Sequence, residues 1–255
     1  ILRFESRMQL FSYYWSPTML AWLLQNADEF DIIHTHTLRF SNNEFVASAH
    51  VKSGTPFVLT AHDKLRLDYM GPLALTLDGI YRATLGAVLM NMAARVIAFH
   101  EDYAQQYHRL CHVPSERIRI VPNGIDHAYY SHLPTSGQLV EMVGGVSNII
   151  LYLGRFIEYK RADLVIRAFN LVLKDFPDAS LVMIGKDYGF LPWCKKLAVD
   201  LGLGQKIVFF EDAEERVKLQ ALGIADVCVI PSDYESFGLV SLEAQASGVP
   251  VVASI

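Results

Sequence analysis

Short runs of β-branched and apolar residues alternate with helix-length stretches from one end of this chain to the other. That alternation limits the folds open to it. Strands are predicted at Phe30–Thr35, Pro56–Ala61, Arg95–His100 and Arg117–Val121, then at Asn148–Leu153, Ala179–Ile184, Lys206–Phe210, Asp226–Ile230 and Val249–Ala253. Helices are predicted over Pro17–Ala27, Asn43–Ser53, Leu73–Ala94, Glu101–Leu110, Arg161–Asp175, Leu191–Leu201, Arg216–Gly223 and Phe237–Ser247. Strands that are apolar throughout are buried on both faces, the condition of a parallel sheet covered by helices on each side. The pattern occurs twice, and between the two series lies a stretch rich in Gly, Ser, Thr and Pro with no periodicity. The expectation is an α/β chain of two doubly wound, Rossmann-like parallel-sheet domains, 1–132 and 148–255, joined by a linker at 133–147. Ligands of such sheets bind beyond the carboxyl ends of the strands, so a cleft between the two halves is where function is sought.

Composition agrees. A length of 255 residues suits two domains. Hydrophobic residues make up 52% of the chain and charged residues 19%, which excludes general disorder. The formal net charge is -5 and the basic residues are scattered, which excludes a nucleic-acid binder. Cys111, Cys194 and Cys228 show neither zinc spacing nor a redox pair, so reduced thiols and a cytoplasmic protein are expected. Leu73–Ala94 is the most apolar stretch, but Asp78 and Arg82 in its interior favour a buried helix over a membrane span.

Two clusters carry chemistry. In Pro231–Pro250 a strand ends at Pro231 and a helix is predicted from about Phe237, so the N–H groups of Phe237, Gly238 and Leu239 face the space above the sheet. Glu235 precedes that helix, and Glu243 lies within it. Carboxylates beside anion-binding amides suit hydroxyl-bearing ligands such as sugars. The alternative is a capping box of Ser232 and Glu235, with Glu243 a solvated helix residue. The second cluster is Gly154, Arg155 and Lys160, after the first strand of the second domain. A tight turn with two cations could neutralise a diphosphate, or form a basic loop in water.

V-P-N-G-I-D at Val121–Asp126, G-R-F…K-R-A-D at Gly154–Asp163 and E-x7-E from Glu235 to Glu243 occur in this order. With these features the chain resembles the retaining glycosyltransferases of the two-Rossmann-domain GT-B architecture, and among them family 4, or group 1. The resemblance implies that Arg155 and Lys160 hold the donor diphosphate and stabilise charge on the departing nucleotide. It implies that the Phe237, Gly238 and Leu239 amides meet phosphate and sugar, that Glu235 contacts donor-sugar hydroxyls, and that Glu243 bonds the ribose. Gly185, in G-K-D-Y-G, would border the nucleotide base. Protein cations would do the work of a bound magnesium, so no metal and no cofactor are expected beyond the nucleotide-sugar co-substrate.

In the first domain, T-A-H-D at Thr60–Asp63 resembles the family's histidine-bearing segment, making His62 the candidate beside donor sugar and acceptor; a histidine satisfied at a strand end is the alternative. His34 and His36 can share a strand face, but no third ligand at suitable spacing supports a metal site. Asn123 and Gly124 are read as a structural turn.

The implied function is transfer of a hexosyl group from a nucleotide sugar to an acceptor hydroxyl with retention of anomeric configuration. The alternatives are a non-catalytic nucleotide-sugar-binding protein, or another GT-B enzyme such as a nucleotide-sugar epimerase. The acceptor is a glycan, lipid or small molecule. The apolar Phe11–Trp22 stretch leaves peripheral contact with the inner face of the membrane open beside a buried amphipathic helix. Relative to the family, a glycine-rich opening strand and loop and a closing segment are not found, and truncation at both ends is expected.

Overall fold

The computed structural model describes residues 1–6, 8–10, 13–38, 41–62, 72–143 and 148–254. The chain divides into two compact units, Ile1–Asn123 and Gly124–Ile255.

The first unit opens with an antiparallel pair that the sequence pattern does not reveal, β1 (Met8–Leu10) and β2 (Tyr13–Trp15), in register Met8↔Trp15. Ser16 caps α1 (Pro17–Asn26): its Oγ accepts from the Met19 amide at 3.4 Å, and Pro17 opens the helix, where a missing N–H costs nothing. Next come β3 (Ile33–His36), α2 (Asn42–Ser53), β4 (Phe57–Thr60), α3 (Pro72–Tyr81), α4 (Ala87–Met92), β5 (Arg95–Ala98), α5 (Glu101–Cys111) and β6 (Ile118–Ile120). The sheet is parallel in the order β3-β4-β5-β6.

The predicted Leu73–Ala94 helix differs in two ways. A π-helical turn over Arg82–Gly86 separates α3 from α4. The helix is also less buried than expected: Leu73, Leu77, Ile80 and Val88 are exposed, whereas Leu89 and Met90 lie in the core. Asp78, Arg82 and Asn91 apart, its residues are mostly apolar, so the pattern gives little sign of which side packs. Among the described residues no helix is long and apolar enough to cross a membrane.

The second unit begins with α6 (His127–Tyr130), capped by Asp126, and α7 (Gln138–Met142). It continues with β7 (Ile149–Leu153), α8 (Ala162–Val172), β8 (Ser180–Gly185), α9 (Leu191–Asp200), β9 (Ile207–Glu211), α10 (Glu215–Ile224), β10 (Val227–Ile230), α11 (Leu239–Ala246) and β11 (Val251–Ala253). All five strands pair in parallel, in the order β11-β10-β7-β8-β9. Side chains alternate across this sheet and build a core on each face. Ile150, Tyr152, Leu181 and Met183 pack with Ile166, Phe169 and Cys194 from α8 and α9. Leu151, Leu153, Val182, Ile184, Cys228 and Ile230 pack on the other face with Ala221, Leu222 and Ala244. The three cysteines are all buried, and burial pushes their thiols up, Cys111 to about 11 and Cys194 and Cys228 to about 12.

The units part at Asn123/Gly124, ahead of the boundary expected after residue 132. The reason is the packing of the segment from Tyr130 to Val143. Tyr130, Leu139 and Val143 are buried in the second core. Gln220 donates to the Ser136 carbonyl at 3.3 Å, and Gly223 lies so close to the chain that a Cβ there would sit 2.5 Å from the Pro134 oxygen. The described part of the expected linker is therefore packed against α10.

Strand order fixes where chemistry is possible. Chain order runs outward from β7 through β8 to β9, then resumes on the opposite side with β10 and β11. The loops leaving β7 and β10 diverge to opposite faces, and a crevice opens between their carboxyl ends.

Candidate functional site

Both predicted clusters of the second unit lie at that crevice. Gly154 and Arg155 come directly after β7, while Pro231 to Glu235 come after β10. The two loops are bound to each other. The Asp233 amide donates to the Tyr159 carbonyl at 2.8 Å, and Arg161 pairs with Asp233 at 3.3 Å. Lys160 Nζ lies 2.6 Å from Glu235 Oε1, an oxygen that also accepts from Ser232 Oγ at 2.9 Å. Arg155 donates to the Tyr159 hydroxyl, and its guanidinium stands 5.8 Å from the Tyr159 ring centroid and 5.5 Å from that of Tyr188. Its carbonyl is held by Tyr152 Oη at 3.0 Å. Two cations and a carboxylate are thus gathered on one wall, and the Lys160–Glu235 pair joins the two predicted clusters.

Gly185, at the end of β8, is needed for a close approach. A Cβ there would lie 1.8 Å from the Gly154 carbonyl oxygen. After it, Asp187 Oδ1 accepts from the Gly189, Phe190 and Leu191 amides at 2.8, 3.0 and 3.0 Å and closes the start of α9. The bond from Leu191 leads those that hold the Asp187 carboxyl below its ordinary range, and together they outweigh the opposing effect of burial.

The helix after Glu235 starts later than expected. It begins at Leu239, preceded by Gly238 with φ +83°, a left-handed conformation that glycine adopts without a Cβ penalty. Phe237 and Gly238 therefore lie ahead of the helix. The Ser241 and Leu242 amides return to the Gly238 carbonyl at 2.9 and 3.2 Å, so Leu239 and Val240 carry the donors left over from helix bonding. Ser232 and Glu235 do not form a capping box; the serine hydroxyl donates to the carboxylate instead.

Glu243 forms a separate group on the same helix. Its Oε1 accepts from Tyr130 Oη at 2.9 Å and from Lys218 Nζ at 3.0 Å, and Lys218 also pairs with Glu215 at 3.1 Å. Burial works against the Lys218 charge, but the bonds to Glu243 and Glu215 outweigh it and hold its pKa above the ordinary value. Burial, then the bond to Glu243, likewise raises the Tyr130 phenol.

In the first unit, His36 Nδ1 lies 2.7 Å from His62 Nε2, so one ring donates and the other accepts. His62 has φ +60°, and its ring packs edge-on to Phe99 at 5.0 Å. His34 bonds Thr60 Oγ1 at 2.8 Å, and burial, then the neighbouring His36, lowers its pKa. Asp63 of the same motif lies outside the described residues. Among the described residues no group of three or more His, Cys, Asp or Glu side chains is placed to hold a metal.

Sequence reasoning missed Tyr159, Tyr188, Tyr130 and Lys218. Tyr159, inside the G-R-F-I-E-Y-K segment, and Tyr188, inside G-K-D-Y-G, lie in segments the sequence singles out; Tyr130 and Lys218 do not.

Comparison with known proteins decides the family. Residues 2–129 match Glycosyltransferase Family 4, and residues 144–255 match Glycosyl transferases group 1. The chain belongs to this glycosyltransferase family. Its relatives include the D-inositol 3-phosphate glycosyltransferase of Mycolicibacterium gilvum, 29% identical over 251 residues covering 96% of this chain and 50% of that protein. That of Acidothermus cellulolyticus is 28% identical, over 88% of this chain and 52% of its own length. The chain thus spans about half the length of these curated relatives. Anabaena HepE, solved with UDP and glucose, superposes with a TM-score of 0.76 at 22% identity, over 92% of this chain and 62% of that one. Sucrose-phosphate synthase of Thermosynechococcus elongatus gives 0.73 at 21% identity, over 92% and 59%. The fold of this family member is the GT-B architecture.

Proposed function

We propose that this chain carries the donor site of a nucleotide-sugar-dependent glycosyltransferase that moves a hexosyl group to an acceptor hydroxyl with retention. The observation that carries this is the cluster of Arg155, Lys160 and Glu235 at the crevice between β7 and β10. Arg155 and Lys160 take the diphosphate, Glu235 the sugar hydroxyls and Glu243 the ribose, while the Leu239 end of α11 with Phe237 and Gly238 lies toward phosphate and sugar. Gly185 borders the base. His62 positions groups on the acceptor side. The binding of UDP and glucose by HepE supports a uridine or similar nucleotide as donor.

The bond from the anomeric carbon to the diphosphate oxygen breaks, and its electron pair stays with the diphosphate. Negative charge grows where the Arg155 and Lys160 cations are already fixed, so little reorganisation opposes the step. The acceptor oxygen bonds the same face of the sugar, and its hydroxyl proton passes to the departing diphosphate. The Lys160–Glu235 pair places a cation for the diphosphate beside a carboxylate for the sugar hydroxyls. Calorimetric titration with UDP, GDP and ADP and their hexose conjugates tests the proposal. One nucleotide is expected to bind, and Arg155→Ala and Lys160→Ala to weaken it; no binding by the folded chain would overturn it.

A further inference from the structure

Glu243 is gripped more firmly than a ligand contact alone requires. One carboxylate oxygen, Oε1, receives donors from two other elements, the Tyr130 hydroxyl of α6 at 2.9 Å and the Lys218 ammonium of α10 at 3.0 Å. Lys218 approaches Tyr130 Oη at 3.4 Å, stands 5.6 Å from its ring centroid, and is tied by Glu215 at 3.1 Å. Among the described residues the other oxygen, Oε2, has no hydrogen-bond partner. Tyr130 is only 8% exposed and belongs to the core beneath the sheet, so this grip is built on a rigid base.

A glutamate on a helix otherwise samples several rotamers, and ordering it on ligand binding costs conformational entropy. Two charge-assisted or hydroxyl donors on one oxygen remove that freedom in advance. They also occupy Oε1, which leaves Oε2 as the acceptor on offer. Helical side chains lean toward the N-terminus of their helix, and for α11 that end is Gly238, at the crevice.

We propose that Tyr130 and Lys218 are positioning residues that lock Glu243 with Oε2 presented to a ribose hydroxyl of the donor nucleotide. Their consequence is discrimination between ribose and deoxyribose. This rests on the donor-site reading of the crevice between β7 and β10. The sequence gives no hint of it, because Tyr130 is 113 residues from Glu243 and Lys218 is 25 residues away.

The test is calorimetry on the 255-residue chain. It compares whichever of UDP, GDP and ADP binds with its 2′-deoxy and 3′-deoxy forms. The wild-type chain is expected to prefer the ribonucleotide by about tenfold or more, the lower range for a hydrogen bond to a charged group. Tyr130→Phe and Lys218→Met are expected to shrink that preference to about threefold or less, with affinity for the deoxy form nearly unchanged. Glu243→Gln is the reference for loss at the carboxylate itself. Thermal melts of each variant verify folding, and Tyr130→Phe removes only one oxygen. If both variants weaken ribo and deoxy forms equally, the network is structural and the inference is overturned. If the wild-type chain binds the nucleotide but does not distinguish the two sugars, it is likewise overturned while the donor site stands. If no nucleotide binds, the donor-site reading itself falls.

Discussion

Among the described glycines of the second unit, Gly185 leaves the least room for an added Cβ, so the cost of Gly185→Ala comes from geometry. Gly185 is not in the left-handed region, so the penalty is steric. The added Cβ would lie 1.8 Å from the Gly154 carbonyl oxygen and 2.7 Å from its carbon, against a practical minimum of 3.0 Å. The carbonyl must retreat by about 1.2 Å, which is 3.0 − 1.8. Both atoms belong to backbone fixed by adjacent parallel strands, with Leu153 opposite Ile184 and the Gly154 amide bonded to the Ile184 carbonyl at 3.0 Å. That bond does not survive such a retreat. Overpacking of about 1–3 kcal/mol plus a hydrogen bond of about 1 kcal/mol gives a loss of about 2–4 kcal/mol. At about 4 °C per kcal/mol, the melting temperature should fall by about 8–16 °C. Arg155 is the residue directly after Gly154, so nucleotide affinity should fall by about tenfold or more even at temperatures where the variant is folded. Differential scanning calorimetry and nucleotide titration measure both. A melting temperature within about 2 °C of wild type, with unchanged affinity, would refute the argument.

The other predictions concern charge and thiols. Lys160→Ala removes a charge-assisted contact worth about 1.5–3 kcal/mol, so the nucleotide dissociation constant should rise about 10- to 100-fold; titration showing less than a threefold change would remove Lys160 from the site. Asp187→Ala should destabilise the chain at neutral pH. Because the folded carboxyl is held below the ordinary value of about 3.9, its contribution is complete above that value and lost as pH falls through the folded pKa. Melts at pH 7 and at progressively lower pH should therefore show a deficit for the variant that is full at pH 7 and shrinks as the carboxyl protonates. Cys111, Cys194 and Cys228 are buried with raised thiols, so a disulfide reagent at pH 8 should modify all three at once only when urea unfolds the chain. Rapid modification of the native protein would show that a thiol is exposed.

The parallel strands were legible because strands buried on both faces are nearly continuous apolar runs, such as Ile149–Leu153 and the Leu181–Ile184 part of β8. Over 133–143 composition hides the packing, because Gly, Ser, Thr and Pro suggest a linker. Leu139 and Val143 are too few for a periodic signal, yet both are buried. The π turn at Arg82–Gly86 was invisible for the opposite reason, since a mostly apolar helix has little phase to lose. The sequence pattern places Gly238 within the first turn of α11, whereas it takes the left-handed conformation that delays α11 to Leu239. In the candidate site, residue types and motif order pointed to the cations and carboxylates. Their partners were not legible, because Lys160–Glu235 joins residues 75 apart and Tyr130–Glu243 residues 113 apart. Such pairings arise from strand order, which the sequence does not print.

The central claim is that the crevice between β7 and β10 binds a nucleoside diphosphate through Arg155 and Lys160. A crystal structure of the chain with the tightest-binding nucleoside diphosphate tests it most directly. The account predicts phosphate oxygens within hydrogen-bond distance of both cations, Lys160 withdrawn from Glu235, and the ribose against Glu243 Oε2. A nucleotide seated elsewhere, with the Lys160–Glu235 pair still closed, would contradict it.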